Sequence, residues 1–459
     1  MRRSDDFALF IISEVPYLLP YGQGIADLKR GVRINDTGRY LWELLNEDPT
    51  EDEILSRYAA HYEVPDSQLP QLKTDLLQFL HMLDTYGMLQ SDHDAAITPV
   101  SAHCRQFADT TLPAEKEKAE NDNTNDNTAS TDIVRRYLSI GGLTLLLCGP
   151  AKAFSRDFDA FEISSRPAPL PVDTVRDTPS HTGRTAIETG NILHTDQTVT
   201  VAEYVPAQHP QGRILLKNRE LVILENDSQY FFLFPTAPGI YEAHLTKDGT
   251  DARYYCHPPY TESFRQDLFH AIRLSFLYLA QLHDMVVLHS ASLLYQDKAW
   301  LFSGHSGAGK STHTNLWREL YHVPLINGDL NLLSMENGFP MIHGLPWCGT
   351  SGIADTRSYP LGGILLVRKA LQNDITVLDG SQAQLLVAQR LISPTWTEAL
   401  VRKNLRFIAD LAPHILICRL HCTKTPEAVQ TGKKAIDDYL LSLPHKSNTP
   451  QQADGASKL

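Results

Sequence analysis

The chain has 459 residues, 42% of them apolar and 21% charged, and a net charge of −13. That length predicts two or three domains of ordinary globular composition. The negative balance argues against a nucleic-acid or anionic-membrane partner, because phosphates attract basic surfaces. No run approaches the ~20 consecutive apolar residues of a membrane span.

The start is basic at Arg2 and Arg3, but the apolar run after it is short and broken by Glu14 and Pro16, which does not read as a signal peptide. Short strand-like runs follow over 7–13, 16–19 and roughly 28–34, split by Pro16, Pro20, Gly22, Gly24 and Gly31. Three helices are then predicted. The first is capped by Asn35 or Asp36 and carries Leu41, Leu44 and Leu45. Thr50 and Glu53 fit a capping box for the second. The third starts at Asp66 or Ser67 and repeats Leu69, Leu72, Leu76, Phe79, Leu83 and Tyr86 at steps of three and four, one apolar stripe. Strands plus three helices in this span describe a winged-helix-like module. Its third helix sets Asp66, Asp75 and Asp84 against Lys73 alone, which is wrong for a helix that meets DNA phosphates.

"RINDTGRYLWELL" (33–45), "TEDEILSRYAAHYEVP" and the helix ending "DTYGML" resemble the PqqD-like peptide-recognition domain, over about residues 7–90. The resemblance implies that the strand before the first helix pairs with the leader of a precursor peptide while the third helix walls the groove. Strand addition takes affinity from unpaired backbone and selectivity from side-chain pockets. The implied peptide-binding residues are Leu28, Lys29, Arg30, Val32, Arg33 and Ile34. Trp42 and the leucines read as a small core.

The module is assigned residues 1–100. Residues 113–132 are almost devoid of apolar side chains and predict a flexible acidic linker, drawn over 101–134. The tail 445–459 reads the same way. Residues 135–265 are β-rich, with "LTLLLC", "RILLKN", "LVILEN" and "YFFLFP" between turn signals, and suggest no chemistry of their own.

Residues 266–444 hold the strongest signal. Gly304, His305, Ser306, Gly307, Ala308, Gly309, Lys310 and Ser311, followed by Thr312, fit the spacing G-x-x-x-x-G-K-[ST]. Glycines let the backbone wrap and aim N–H groups inward. Lys310 would reach the β and γ phosphates of a nucleotide such as ATP, and the Ser311 hydroxyl would hold Mg²⁺. A strand over 299–302 enters the loop, and a helix over 311–320 leaves it and points its positive end at the anion. That helix descends ~15 Å. A strand over 323–327 climbs back ~16 Å, which returns Asp329 to the loop as a second metal ligand. Upstream, "VVLHSASLLYQDKAWLF" reads as a hairpin whose first strand carries His289, either a core residue or a site residue.

This stretch, with "LINGDLNLL" and "GLPWCGTSG" (344–352), resembles the HPr kinase/phosphorylase family, whose fold is akin to phosphoenolpyruvate carboxykinase, over roughly 280–445. The implied architecture is α+β and α/β multidomain, a winged-helix-like module plus a P-loop mixed-sheet kinase domain. The resemblance puts His289 near the reacting phosphate, Lys310 on its charge, and Ser311 and Asp329 on the metal. The family has two consecutive aspartates where this chain has Gly328 and Asp329. The base is therefore Asp329 or His289. Pro346 to Ser351 offer turn backbone and hydroxyls for the acceptor side, although Trp347 is equally explained by packing.

Cysteines at 104, 148, 256, 348, 418 and 422 are too sparse for a disulfide framework and predict reduced thiols in a cytoplasmic protein. "HILICRLHC" reads as a strand, and four strand steps hold Cys418 and Cys422 ~13 Å apart, too far for one metal. The two ends of the chain together predict an ATP- and Mg²⁺-dependent Ser/Thr kinase for a precursor peptide, with the linker letting the peptide's far end reach the site. A regulatory kinase/phosphorylase for a carrier protein and a nucleotide-gated peptide chaperone stay open. A homo-oligomer is compatible with the sequence.

Overall fold

Three sheets carry the chain in the computed structural model, which describes residues 1–90, 132–163, 194–203 and 210–443. The expected tail and all but the end of the expected linker lie outside the described residues. No helix among the described residues is long and apolar enough to cross a membrane.

In the first sheet β1 (Phe7–Ile12) and β2 (Val15–Pro20) form an antiparallel hairpin, and β3 (Val32–Arg33) pairs with β2. The strand expected over 28–34 is thus two residues long. After β2 the chain makes a helical turn at Gln23–Ala26, and the Leu28 and Lys29 amides close it on Ile25 and Gly24 carbonyls. Amides spent locally cannot join a ladder. Of the six residues implied for peptide pairing, only Val32 and Arg33 lie in a strand. Leu28 is exposed with φ 56°, Arg30 is exposed outside the strand, and the Lys29 amine binds Asp6 at 2.8 Å. Ile34 is buried and its amide bonds to Pro16. Val32 and Arg33 alone form the strand. Asn35 caps α1 (Asp36–Leu44) by accepting from the Gly38 amide at 2.8 Å. The Thr50–Glu53 capping box opens α2 (Glu51–His61). A 3-10 turn over Asp66–Gln68 leads into α3 (Leu69–Thr85). Trp42, Leu45, Ile54 and Leu83 fill the core between these helices and β1 to β2.

The second sheet holds β4 (Ile133–Ile140), β5 (Leu143–Pro150), β6 (Gln197–Glu203), β7 (Arg213–Lys217), β8 (Val222–Glu225), β9 (Gln229–Leu233), β10 (Ile240–Thr246) and β11 (Asp251–Cys256), in the order 4-5-6-11-10-9-8-7. Its first strand begins inside the expected linker, because Ile133 and Val134 pair with Pro150 and Gly149. One face is covered by α4 (Glu262–Leu282), capped by Thr261 and buried along more than half its length. A helix apolar on most sides belongs between layers, and α4 packs on Trp347, Leu330 and Leu332 of the third sheet as well.

The third sheet comprises β12 (Val286–Tyr295), β13 (Lys298–Ser303), β14 (Leu325–Asn327), β15 (Leu330–Glu336), β16 (Phe339–His343), β17 (Ser358–Lys369), β18 (Asp374–Val377) and β19 (Leu416–Cys422). The neighbours run 13-12-15-16-17-19-18, and β13 also pairs with β17, so five strands close on themselves. Between them α5 (Lys310–Tyr321) and α8 (Pro426–Ser442) cover one side, and α6 (Gly380–Ala388) and α7 (Glu398–Leu411) the other. Cys418 and Cys422 are buried on the α5 and α8 side.

The amino-terminal hairpin does not hang on its linker alone. Ala8, Phe10 and Ile12 pack against Val401 of α7 and Leu385 of α6, and Arg402 donates to the Leu9 carbonyl at 2.9 Å. A charge among these side chains would have to be desolvated without a partner. Val401→Asp is therefore expected to speed amide exchange over 7–12 at least tenfold while leaving β12 and β13 protected. Unchanged exchange over 7–12 contradicts the contact.

Candidate functional site

The apolar run Ala299 to Phe302 lies fully buried in β13, hydrogen-bonded to β12 on one edge and β17 on the other. The chain leaves this strand at Gly304, where a side chain would meet the Val367 carbonyl at 2.7 Å. It then turns through Gly307 (φ 72°) and Gly309 (φ 105°), conformations that suit glycine. The Ala308 amide closes the turn on the His305 carbonyl at 3.0 Å. Lys310 opens α5 directly, its side chain 9% exposed and its amine donating to the Gly304 carbonyl at 3.2 Å. Burial pushes the Lys310 amine below its ordinary pKa, and the carboxylate of Asp329 opposes that shift. Ser311 and Thr312 stand exposed in the first turn of α5, and His305 and Ser306 on the rim. An open concavity of backbone amides, a helix N-terminus and a buried amine is chemically matched to a polyphosphate. Beside it Thr312, His313, Leu316, Lys369, Thr423 and Lys424 line a shallow hollow.

Asp329 reaches the loop by a buried polar scaffold. The Asn327 side chain accepts from the amides of Asp329 (3.0 Å) and Leu330 (3.2 Å) and donates to the Leu345 carbonyl at 3.0 Å. Asn331 donates to Ser290 and accepts from Ser292, and the Ser290 amide donates to the Asp329 carbonyl at 2.8 Å. Small Ser290 and Ala291 beside His289 thus serve close strand contact. His289 Nε2 stands 3.1 Å from Asp329 Oδ1, with each side chain about one-third exposed, at 30% and 36%. The hydrogen bond from His289 holds the Asp329 carboxyl below its ordinary range despite partial burial, and Lys310 and Arg273 add to the effect. An ionised carboxylate next to the cradle, with the Ser311 hydroxyl on the loop helix, is an oxygen donor set suited to Mg²⁺. The three residues His289, Lys310 and Asp329 are gathered around one point.

Gly328 has a steric reason. A Cβ there would overlap the Ser351 side chain, whose hydroxyl is fixed on the Cys348 carbonyl at 2.7 Å. The turn over 346–351 occupies the space that a second carboxylate would need. Trp347 is core: it is 1% exposed, donates from Nε1 to the Phe269 carbonyl at 2.9 Å and packs on Phe158, Phe269 and Phe276.

Two basic residues escape a reading of motifs. The Arg390 guanidinium lies 2.8 Å from His305 Nε2, and its carbonyl accepts from the His289 amide at 2.9 Å. Arg390 lowers the pKa of the His305 imidazole by charge, so a neutral ring and a cation border the cradle together. Arg273 on α4 is partly buried and is the second. Both sit in stretches with no recognisable spacing, 389–397 after a helix and the middle of an apolar helix.

In the amino-terminal module a hollow of about 300 Å³ opens between α1, α2 and α3, lined by Gly38, Leu41, Leu55, Tyr58, Leu72 and Phe79. It adjoins the end of β3 through Asn35.

Residues 25–89 match the family model of coenzyme PQQ synthesis protein D (PqqD), a stretch that begins after the β1–β2 hairpin. A solved structure of the Hpr(Ser) kinase/phosphatase from Coxiella burnetii matches over 34% of this chain and 96% of its own, at 9% identity and a TM-score of 0.21. That likeness is too slight to carry an argument. No curated protein matches the chain.

One pH response follows from the helix behind the cradle. His313 is 2% exposed, stacks on Phe302 at 5.0 Å, and burial pushes its pKa down to about 4. Between about pH 6.5 and 4 the unfolded chain binds the proton and the folded one does not, so stability falls as pH falls through this window. In urea denaturation, His313→Leu should gain on the wild type across that window by up to about 3 kcal/mol. A difference independent of pH contradicts the assignment.

Proposed function

We propose that the chain is an ATP-dependent phosphotransferase that docks a precursor peptide on its amino-terminal module and phosphorylates a Ser or Thr hydroxyl of it. The single observation behind this reading is the meeting of His289 and Asp329 at 3.1 Å beside the loop that ends in Lys310. Phosphoryl transfer has a loose transition state, so charge and positioning carry most of the catalysis. Three elements of the site supply them. The loop amides and the α5 N-terminus hold the phosphates, and Lys310 neutralises them. A magnesium ion, held by Ser311 and Asp329, would supply further neutralisation of the phosphate oxygens. The acceptor hydroxyl oxygen bonds to the terminal phosphorus while the bond to the ADP oxygen breaks. Its proton passes to the His289–Asp329 pair, where the ionised carboxylate orients the imidazole.

The match of residues 25–89 to the PqqD family supports the peptide half of the reading. The short edge at Val32–Arg33 and the neighbouring hollow, whose wall mixes leucines and Phe79 with Asn35, Thr37 and Asp75, suit an extended peptide with one side chain inserted. A second reading, nucleotide-gated peptide holding without transfer, is favoured by the overlap of Ser351 with a Cβ at Gly328, which removes a carboxylate.

Calorimetry with Mg·ATP and labelled ATP together decide between the two. The proposal expects uptake by the wild type, at least tenfold weaker binding by Lys310→Ala, and label on a precursor peptide that fades when its leader is cut away. Uptake without any labelled product would favour the holding function. Absence of magnesium-dependent uptake would sink both readings. His289→Asn and Asp329→Asn should each lower kcat by a factor of 10² or more, the usual scale of a general base.

A further inference from the structure

A second cation, Arg273 on α4, acts on Asp329 by charge. Phe269, Arg273 and Phe276 recur at steps of four and three on α4 and so share one face. That face meets the turn over 346–351: the Trp347 ring lies 5.5 Å from Phe269 and 5.3 Å from Phe276. The turn in turn lies on Asp329, for a Cβ at Gly349 would stand 2.9 Å from the Asp329 Cβ. Lys310 belongs to the loop end, whereas Arg273 belongs to the helix face that meets this turn. Both lower the Asp329 carboxyl by charge. Arg273 is partly buried, yet among the described residues its guanidinium has no hydrogen bond or ion pair. Burial pushes its pKa below the ordinary value, and Asp329 is the charge that opposes the shift.

A guanidinium that keeps solvent access and has no protein partner is free to take a ligand, and its planar fork of donors matches a carboxylate or phosphate. The glycine loop and Lys310 already provide for phosphates. An unmodified peptide brings one kind of anion, the carboxylate. We propose that Arg273 is the acceptor-side clamp of this site, binding a carboxylate of the peptide close to the hydroxyl that receives the phosphoryl group. The inference rests on the phosphotransfer reading for the identity of the acceptor. It names a substrate class within that reading: acceptors whose Ser or Thr is flanked by Asp or Glu, or stands at a free C-terminus. Arg273 binds and positions, and takes no part in proton transfer.

The test is calorimetric titration of the full-length protein, in magnesium and ADP, with two pairs of probes. The first pair is acetyl-Gly-Ser-Asp-Gly-amide and its Asn counterpart. The second is acetyl-Gly-Gly-Ser with a free carboxyl and the same peptide as an amide. The expected result is that the carboxylate member of one pair binds at least tenfold more tightly than its neutral counterpart, and which pair does so identifies the source. In Arg273→Gln the ratio should fall to within twofold, and Arg273→Lys should restore part of it. Thermal denaturation of both variants checks their folding. Equal affinities within both pairs, no measurable carboxylate-dependent binding, or a ratio that survives Arg273→Gln overturns the assignment. The same cell titrated with Mg·ATP reports on the cradle separately. Failed nucleotide uptake would remove the kinase reading while the peptide ratios still judge Arg273.

Discussion

Strand β12 is bonded along both edges, and the site exists because of it. From Ser290 onward it pairs with β13, which feeds the glycine loop. From Val286 to His289 it pairs with β15, whose start follows Asp329. On the opposite edge of that same stretch the His289 amide bonds to Arg390 and the Ile392 amide to Val287. His289, the start of the glycine loop and the segment of Asp329 are therefore all tied to β12 by backbone hydrogen bonds. Backbone ladders fix register, and a shift of one residue would turn His289 to the other face. The buried Ser290, Ser292, Asn327 and Asn331 add side-chain bonds to the same ladder. Satisfied buried polar groups of this kind specify one arrangement, since any slip would strand them without partners.

The charges around that strand are organised about one carboxylate. Lys310 and Arg273 are cations lowered by burial, and Asp329 is an anion held low by its neighbours. In a partly desolvated site each such charge is worth more than in water and costs more when left alone. The Asp329 carboxylate favours the charged form of both cations, while its ion-pair partner is His289. A polyphosphate would take over Lys310, and an acidic acceptor would take over Arg273. Each ligand would then release the carboxylate for a metal and a hydroxyl proton.

How much of this could be read from the chain depends on the residue. The glycine loop announces itself because its backbone angles demand glycine at fixed offsets, as Gly307 and Gly309 show. Asp329 was reachable by arithmetic, since a helix down and a strand back must end near their start, although β14 proved to be three residues and not five. The capping residues Asn35 and Thr50 fix two helix starts because unpaired amides need an acceptor. Leu28 to Gly31 looked like a strand on composition alone, but a local turn consumed the amides that a ladder requires. The seat of the hairpin on α6 and α7 was invisible, because Ala8, Phe10 and Ile12 alternate as any half-buried strand would. Arg273 and Arg390 were invisible for a related reason: one charged residue in a helix or a loop carries no spacing, and its meaning comes only from what the fold sets beside it.

The two halves of the chain meet at α6 and α7, and the same connection between those helices carries Arg390 to the rim of the cradle. The amino-terminal module and the rim of the glycine loop are thus joined through the same pair of helices. The claim on which all of this rests is that Asp329 and the glycine loop hold one metal–nucleotide complex between them. The most direct measurement is electron paramagnetic resonance of Mn²⁺ titrated into the full-length protein with and without ADP. The account predicts tight manganese uptake that needs the nucleotide and is lost in Asp329→Asn. Manganese bound equally well without nucleotide, or undisturbed by that substitution, would contradict it.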